Sequence, residues 1–347
     1  MEPVKIGIIG AGAVTELFHL PAAQLCPEAQ IVALVDKNSE RGRALADRFS
    51  VPHVMTTHRD LYGHVDGVIN ALPNYLHASV TIEFLERGVP VLVEKPLAVT
   101  LAEAEKVTEV AKTTAVPLQV GHLYRFCNGV RFVKQAIDEG WLGSLQGFSL
   151  EFGFVWSWPM VSGSLSKEQA GGGALLDFGS HMLDLLLQWF GSAIEVQYWD
   201  DSLGGVEADC SLSLVLQGPA GPVPGTVALS RLRNLSNSAV VIGKHFTVEY
   251  DITTADKVRY WPSASNKKAV SSISNFGLPS PQPWDDVCAQ QLRAFARAIS
   301  GRDPSAVPGE SVLDTVALID RCYRERQPLE LPWEKPVTLN KRRPAKA

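Results

Sequence analysis

The chain has 347 residues, 46% hydrophobic and 20% charged, with a net charge of −5 carried by dispersed residues of both signs. That length accommodates two domains with sizeable cores, and the dispersed, slightly acidic balance excludes the one-sided basic footprint of a nucleic-acid binder. Cysteines 26, 127, 210, 288 and 322 are odd in number and form no Cys-x-x-Cys pair, which argues against a disulfide framework or a metal site and for reduced thiols in a cytoplasmic protein.

The first strand is expected at Val4–Ile9. It is too short for a secretory leader, lacks a basic start and breaks at Gly10 and Gly12. No run of roughly 18 apolar residues follows anywhere, so no membrane span is expected. Gly10-Ala-Gly12-Ala13-Val14-Thr15 then opens a helix near 13–25. Glycines at such a strand-to-helix turn let the backbone approach a pyrophosphate at the positive helix end, although Thr15 stands where the motif has its third glycine. A strand at 31–35 ends in Asp36, 24 residues after Gly12, where an acid accepts hydrogen bonds from an adenosine ribose. The acid repels a 2′-phosphate and favours NAD over NADP, while Lys37 beside it tolerates the phosphate. Asp36 also suits a cap for a helix at 39–49.

Strands at 68–71, 91–93 and 118–121 alternate with helices at 77–87 and 101–113. The last helix opens with the capping box Thr100-Leu-Ala-Glu103, and Gly88 suits a left-handed helix end. Continuous apolar strands alternating with helices specify a doubly wound parallel sheet. Glu94-Lys95-Pro96 follows the 91–93 strand directly, at the end that lines the ligand crevice in such sheets. A partly desolvated lysine there serves as acid or base; an ordinary strand-end ion pair is the alternative.

Beyond residue 145 the strands follow one another without crossovers, at 145–152, 193–200, 209–217, 225–233, 239–243, 245–250 and 257–261, which favours an antiparallel sheet. A helix over 171–191 interrupts them, opening on three glycines and carrying Asp177, His181 and Asp184 on an apolar face. Such groups are costly to bury without a purpose. Asp177 and His181, four apart, are placed to reach one ligand, and the histidine suits a general base near neutrality. Asp184 reads as structural, pairing with an arginine or capping a loop. Residues 262–283 read as a loop, and helices near 286–300 and 310–324 close the fold. The expected domains are 1–122 for dinucleotide binding and 123–330 for substrate, with 331–347 a solvated basic tail.

The stretches GIIGAGAVTELFHLPA, ALPNYLH at 71–77, VEKP at 93–96, GHLYRF at 121–126, GGGALLDFGSHMLD at 171–184 and PGESVLDTVALIDRCYRE at 308–325 together resemble the glucose–fructose oxidoreductase/inositol dehydrogenase (Gfo/Idh/MocA) family. The resemblance implies a Rossmann domain plus an open, mostly antiparallel sheet domain. It implies NAD(P)-dependent oxidation or reduction of a secondary alcohol on a sugar, cyclitol or related polyol. Lys95, Asp177 and His181 take the catalytic positions. Leu72, Pro73, Asn74, His77 and Glu94 border the nicotinamide, and His122 and Arg125 lie near the substrate. On this reading His181 takes the proton, Lys95 stabilises the alkoxide and Asp177 binds a neighbouring hydroxyl, with Lys95 as base left open. Trp156, Trp158 and Met160 either stack on a sugar ring or cover a subunit contact. A homodimer or homotetramer is expected, with no nucleic-acid or membrane partner. Two other uses of the same scaffold stay open: a glycosidase that oxidises its substrate transiently with bound NAD, and a non-catalytic dinucleotide sensor.

Overall fold

The computed structural model describes residues 2–155, 167–265, 269–271 and 277–330. Trp156, Trp158, Met160 and the tail 331–347 lie outside them. The first sheet is built from β1 (Val4–Ile9), β2 (Ala29–Val35), β3 (His53–Met55), β4 (Gly67–Asn70), β5 (Val91–Val93) and β6 (Leu118–Val120), in the spatial order β3-β2-β1-β4-β5-β6. All pairs are parallel. Helices α1 (Leu20–Gln24), α2 (Ser39–Phe49), α3 (His77–Leu85) and α4 (Leu101–Thr114) cross between the strands. The order reverses between β1 and β4, and ligands bind at that switch point, beyond the carboxyl ends of the strands. The capping box holds: the Glu103 amide donates to Thr100 Oγ1 and the Thr100 amide to Glu103 Oε2, both at 3.3 Å.

The second sheet has nine strands in the order β14-β13-β12-β11-β7-β10-β9-β8-β15. These are β7 (Leu145–Gly153), β8 (Ala193–Asp200), β9 (Asp209–Leu216), β10 (Val223–Ser230), β11 (Ser238–Gly243), β12 (Phe246–Asp251), β13 (Val258–Pro262), β14 (Ala269–Ser271) and β15 (Gln327–Pro328). It is mostly antiparallel, with β10–β7 and β15–β8 parallel. Several short elements escape the sequence reading, β3, β15 and the helix at Lys167–Ala170 among them, and two further ones bear on the second domain. Helix α5 (Asn128–Asp138) precedes β7, and β14 lies inside the stretch read as loop, hydrogen-bonded to β13.

Helix α7 (Ser180–Phe190) is buried nearly all round, against α5 and against α9 (Leu313–Arg324). The helix α8 (Trp284–Ile299) returns to the first sheet, where Leu292 and Phe295 share a core with Ile6, Ile8, Leu34 and Ile69. All five cysteines are buried and free. Among the described residues no helix is long and apolar enough to cross a membrane.

Candidate active site

The carboxyl ends of β1, β2, β4, β5 and β6 bring the glycine loop, Asp36, Leu72, Lys95 and His122 to one edge of the parallel sheet. Gly10 sits at φ +104, and a Cβ there would meet the Ala71 carbonyl oxygen at 2.5 Å, so only glycine lets the loop pass this close to β4. A Cβ on Gly12 would meet no atom within 4 Å, so the loop is open on the side that a pyrophosphate approaches. Thr15, at the variant position, is buried and donates from Oγ1 to the Gly10 carbonyl at 2.5 Å, closing the turn from inside. Ala13 and Val14 form the first helical residues, and Thr15–His19 continue as a π-turn. Asp36 is buried; its Oδ2 accepts the Ala11 amide at 2.9 Å and its Oδ1 the Asn38 amide at 2.8 Å. An acidic group held at the end of β2 and an open glycine loop fit an adenine dinucleotide. Lys37 is exposed on the rim.

Lys95 leaves β5 through a cis Lys95–Pro96 bond and reaches the opposite helix. Its Nζ lies 2.6 Å from Asp177 Oδ1 and 3.0 Å from the Asp177 carbonyl oxygen. Arg231, just past β10, donates to Asp177 Oδ2 at 2.9 Å, and its guanidinium stands 5.7 Å from the Phe178 ring centre. Burial works against the Asp177 carboxylate, but Lys95 and Arg231 outweigh it and hold the carboxyl below its usual range. Asp177 thus presents both oxygens to cations, an arrangement absent from the sequence reading, which gave it a substrate hydroxyl.

Asp177 belongs to a π-turn, Leu175–Gly179, that leads into α7. Such turns recur at functional sites because the extra residue re-aims the side chains. His181 follows one turn later. Its Nδ1 is buried without a hydrogen-bond partner among the described residues, and its ring meets Tyr124 and His122 edge-on, with centroids 5.2 and 5.9 Å apart. Burial, then the charges of Lys95 and His122, push its pKa well below 6.5. His122 is likewise lowered by burial, against the opposing pull of Asp184, whose Oδ2 lies 3.5 Å from His122 Nδ1.

Arg125 does not face outward from this cluster. It forms a fork on Asp184, Nε to Oδ2 at 2.9 Å and Nη2 to Oδ1 at 2.6 Å, and donates to Ser311 Oγ at 2.7 Å. The structural reading of Asp184 therefore has its arginine. His77 is also buried, its ring nitrogens 2.7 Å from the Pro96 oxygen and 2.8 Å from the Leu72 oxygen, so it ties the 72–74 loop to the Lys95 turn. Glu94 turns to His19, 2.8 Å away. Pro73 is exposed, and Asn74 donates to the Ala170 carbonyl at 2.9 Å, at the end of the short helix α6 (Lys167–Ala170).

The three glycines before α7 serve packing rather than room for a ligand. A Cβ on Gly172 would meet Tyr323 Oη at 2.0 Å and one on Gly173 the Glu207 carbonyl oxygen at 1.8 Å. The buried Glu207 carboxylate accepts the Gly173 and Leu175 amides, each at 2.9 Å, and the Tyr323 hydroxyl at 2.8 Å. It caps the segment that carries Asp177.

Residues 4–122 match the family model described as "Oxidoreductase family, NAD-binding Rossmann fold", and residues 130–249 match "GFO/IDH/MocA C-terminal domain". The chain belongs to the Gfo/Idh/MocA oxidoreductase family. It is 31% identical to the rhizopine catabolism protein MocA of Rhizobium meliloti in an alignment covering 53% of this chain and 56% of that one. It is 26% identical to a dTDP-3,4-didehydro-2,6-dideoxy-alpha-D-glucose 3-reductase of Saccharopolyspora spinosa over 94% of this chain and 98% of that one. The structure of a levoglucosan dehydrogenase in complex with NADH superposes with a TM-score of 0.82 at 20% identity, over 93% and 96% of the two chains. Within this Gfo/Idh/MocA chain, Arg231, Tyr124 and Glu207 are the site residues that sequence reasoning did not single out. A charge directly after a buried strand was the available signal for Arg231, the same signal that marked Lys95; Glu207 had none.

Proposed function

We propose that the protein is an NAD(P)-dependent dehydrogenase or reductase acting on a CH–OH group of a sugar, cyclitol or related polyol. The observation that carries this reading is the Lys95–Asp177 ion pair beside a neutral, partly buried His181, at the carboxyl ends of the parallel strands that also present the glycine loop. The dinucleotide, when bound, supplies the hydride acceptor or donor. Gly10, Gly12, Ala13 and Val14 border its pyrophosphate, Asp36 its adenosine ribose, and Leu72, Pro73 and Asn74 its nicotinamide side. Of the two cofactors, the buried Asp36 carboxylate favours NAD.

His181 is kept neutral, so it is ready to accept the hydroxyl proton as the alcohol carbon is oxidised, and to return it in the reverse direction. The Lys95 ammonium, held on Asp177, stabilises the oxygen as negative charge develops. His77 keeps the Lys95 turn in place, and Arg125 with Asp184 fixes the His122 side of the pocket. The sugar class rests on the substrates that the relatives' names carry. The five buried free thiols support a cytoplasmic protein, and exposed Ile242 and Phe246 on the second sheet support a homo-oligomer.

The test is a panel of sugars and cyclitols with NAD, read as reduced nicotinamide. Turnover that survives Lys95→Ala and His181→Ala unchanged overturns the residue roles. Glycoside cleavage without net reduced cofactor identifies the transient-oxidation chemistry instead.

A further inference from the structure

Glu207 stands between β8 and β9 and meets the Asp177 segment with both its side chain and its backbone. Its Oε1 accepts the Gly173 and Leu175 amides at 2.9 Å, and its carbonyl oxygen accepts the Ala174 amide between them, also at 2.9 Å. Three successive amides at the start of the turn therefore end on one buried residue. The Asp177 amide in turn donates to the Gly173 carbonyl at 3.0 Å, so Asp177 is tied to the same anchor. The next carbonyl along, that of Ala208, accepts the Arg231 amide at 2.7 Å. Two neighbouring residues thus hold both Asp177 and the arginine that grips it. They are fixed themselves, because Asp201 Oδ1 accepts the Ala208 and Asp209 amides at 2.8 and 3.0 Å.

We infer that Glu207 is a positioning residue for the reaction: the reach of its carboxylate sets where Asp177 stands, and through Asp177 it aims the Lys95 ammonium at the reacting oxygen. This rests on the reading of Lys95 and Asp177 as reaction groups. Length matters here more than charge. The Gly173 amide, the Leu175 amide and the Tyr323 hydroxyl all meet the same oxygen, Oε1. Glutamine, with its amide oxygen at that place, keeps the three contacts without the charge. Aspartate keeps the charge but is one methylene shorter, which draws the oxygen back by roughly 1.5 Å and out of hydrogen-bond reach of the amides. A turn released there lets the Asp177 carboxylate move from Lys95 Nζ, which it holds at 2.6 Å. A misplacement of about 1 Å is enough to slow a reaction severely.

The experiment reads Lys95 directly. Its side chain is 17% exposed and held in the ion pair, so in the full-length protein acetic anhydride acetylates it slowly, measured by mass spectrometry against exposed Lys257. Glu207→Asp raises that rate about tenfold or more and Glu207→Gln about threefold, the worth of a whole hydrogen bond and of part of one. Tyr323→Phe, the milder variant in case the aspartate does not fold, also raises it about threefold. With a polyol that the wild type oxidises, Glu207→Asp lowers kcat about tenfold, while KM and NADH affinity stay within about threefold. An unchanged labelling rate in Glu207→Asp, or in Tyr323→Phe where that variant stands in, overturns the inference. A larger rise in Glu207→Gln than in Glu207→Asp overturns it too, as does a loss carried by KM alone. If the wild type oxidises no polyol while the labelling order holds, the positioning stands and the proposed reaction fails. NADH binding by each variant, followed by nicotinamide fluorescence, reports that it is folded.

Discussion

Lys95 and Asp177, 82 positions apart, meet with Nζ 2.6 Å from Oδ1. One follows the fifth strand of the parallel sheet and the other sits in the π-turn before α7. The pair is therefore a joint between the two halves of the site as well as a charge pair. Replacing Asp177 with Asn keeps an oxygen for Lys95 but removes the charge that anchors the ammonium. We expect a fall in kcat of about a hundredfold or more with little change in cofactor affinity, measured by steady-state kinetics beside cofactor titration. A normal kcat argues against the anchoring role.

Arg231 shares Asp177 with Lys95 and touches its other oxygen. Arg231→Gln leaves the Lys95 contact in place, so its cost is smaller, about tenfold in kcat. Arg231→Lys recovers part of it. A kcat loss as large as that of Asp177→Asn shows that Arg231 acts on substrate directly.

The pH dependence follows from His181. Its folded pKa lies well below 6.5 because of burial and the Lys95 and His122 charges. The base form therefore persists as pH falls through 6.5, and the acid limb of kcat/KM lies well below that value. Stability has the matching sign. Below 6.5 the unfolded imidazole binds a proton that the folded one refuses, so His181 costs stability as pH drops toward its folded pKa and nothing above 6.5. An acid limb centred at or above 6.5 assigns the proton to another group.

Asp184→Asn tests the scaffold under the site. Asp184 is buried and takes the Arg125 fork, the Thr315 hydroxyl and the His122 contact. Removing its charge leaves Arg125 uncompensated, at a cost of about 3–5 kcal/mol, read by chemical denaturation. A change below about 1 kcal/mol places the pair among ordinary surface bridges.

Gly173→Ala puts a methyl group 1.8 Å from the Glu207 carbonyl oxygen, where backbone would have to move. Insoluble expression or a loss of about 4 kcal/mol is expected, since the cap on the Asp177 segment is displaced with it. Wild-type stability in this variant contradicts the packing role of the glycines.

Much of this was legible in the chain itself. Val4–Ile9, Ser39–Phe49, Val91–Val93 and Ala193–Asp200 lie where pattern places them, because strands buried on both faces must be continuously apolar, a half-exposed strand such as Ala193–Asp200 alternates, and helix starts must satisfy their own amides. Helix α5 was also readable, with Val130, Val133, Ala136 and Ile137 at helical spacing. Strand β14 was not, since three residues at a sheet edge carry no periodicity. Arg231 falls within the strand-like run 225–233, although β10 ends at Ser230.

By itself the sequence determined the two-part architecture and placed the glycine loop and Asp36 at the ends of β1 and β2, because these depend on neighbours within a few residues, and it marked Lys95, Asp177 and His181 as candidates. Only the tertiary structure decided their partners. It put Arg231 on Asp177, Arg125 on Asp184 and Arg41 on Asp36, and it set the glycines at 172 and 173 against Tyr323 and Glu207. An ion pair depends on distance in space, and which charges come within 3 Å of one another is settled only when the two sheets and their helices pack.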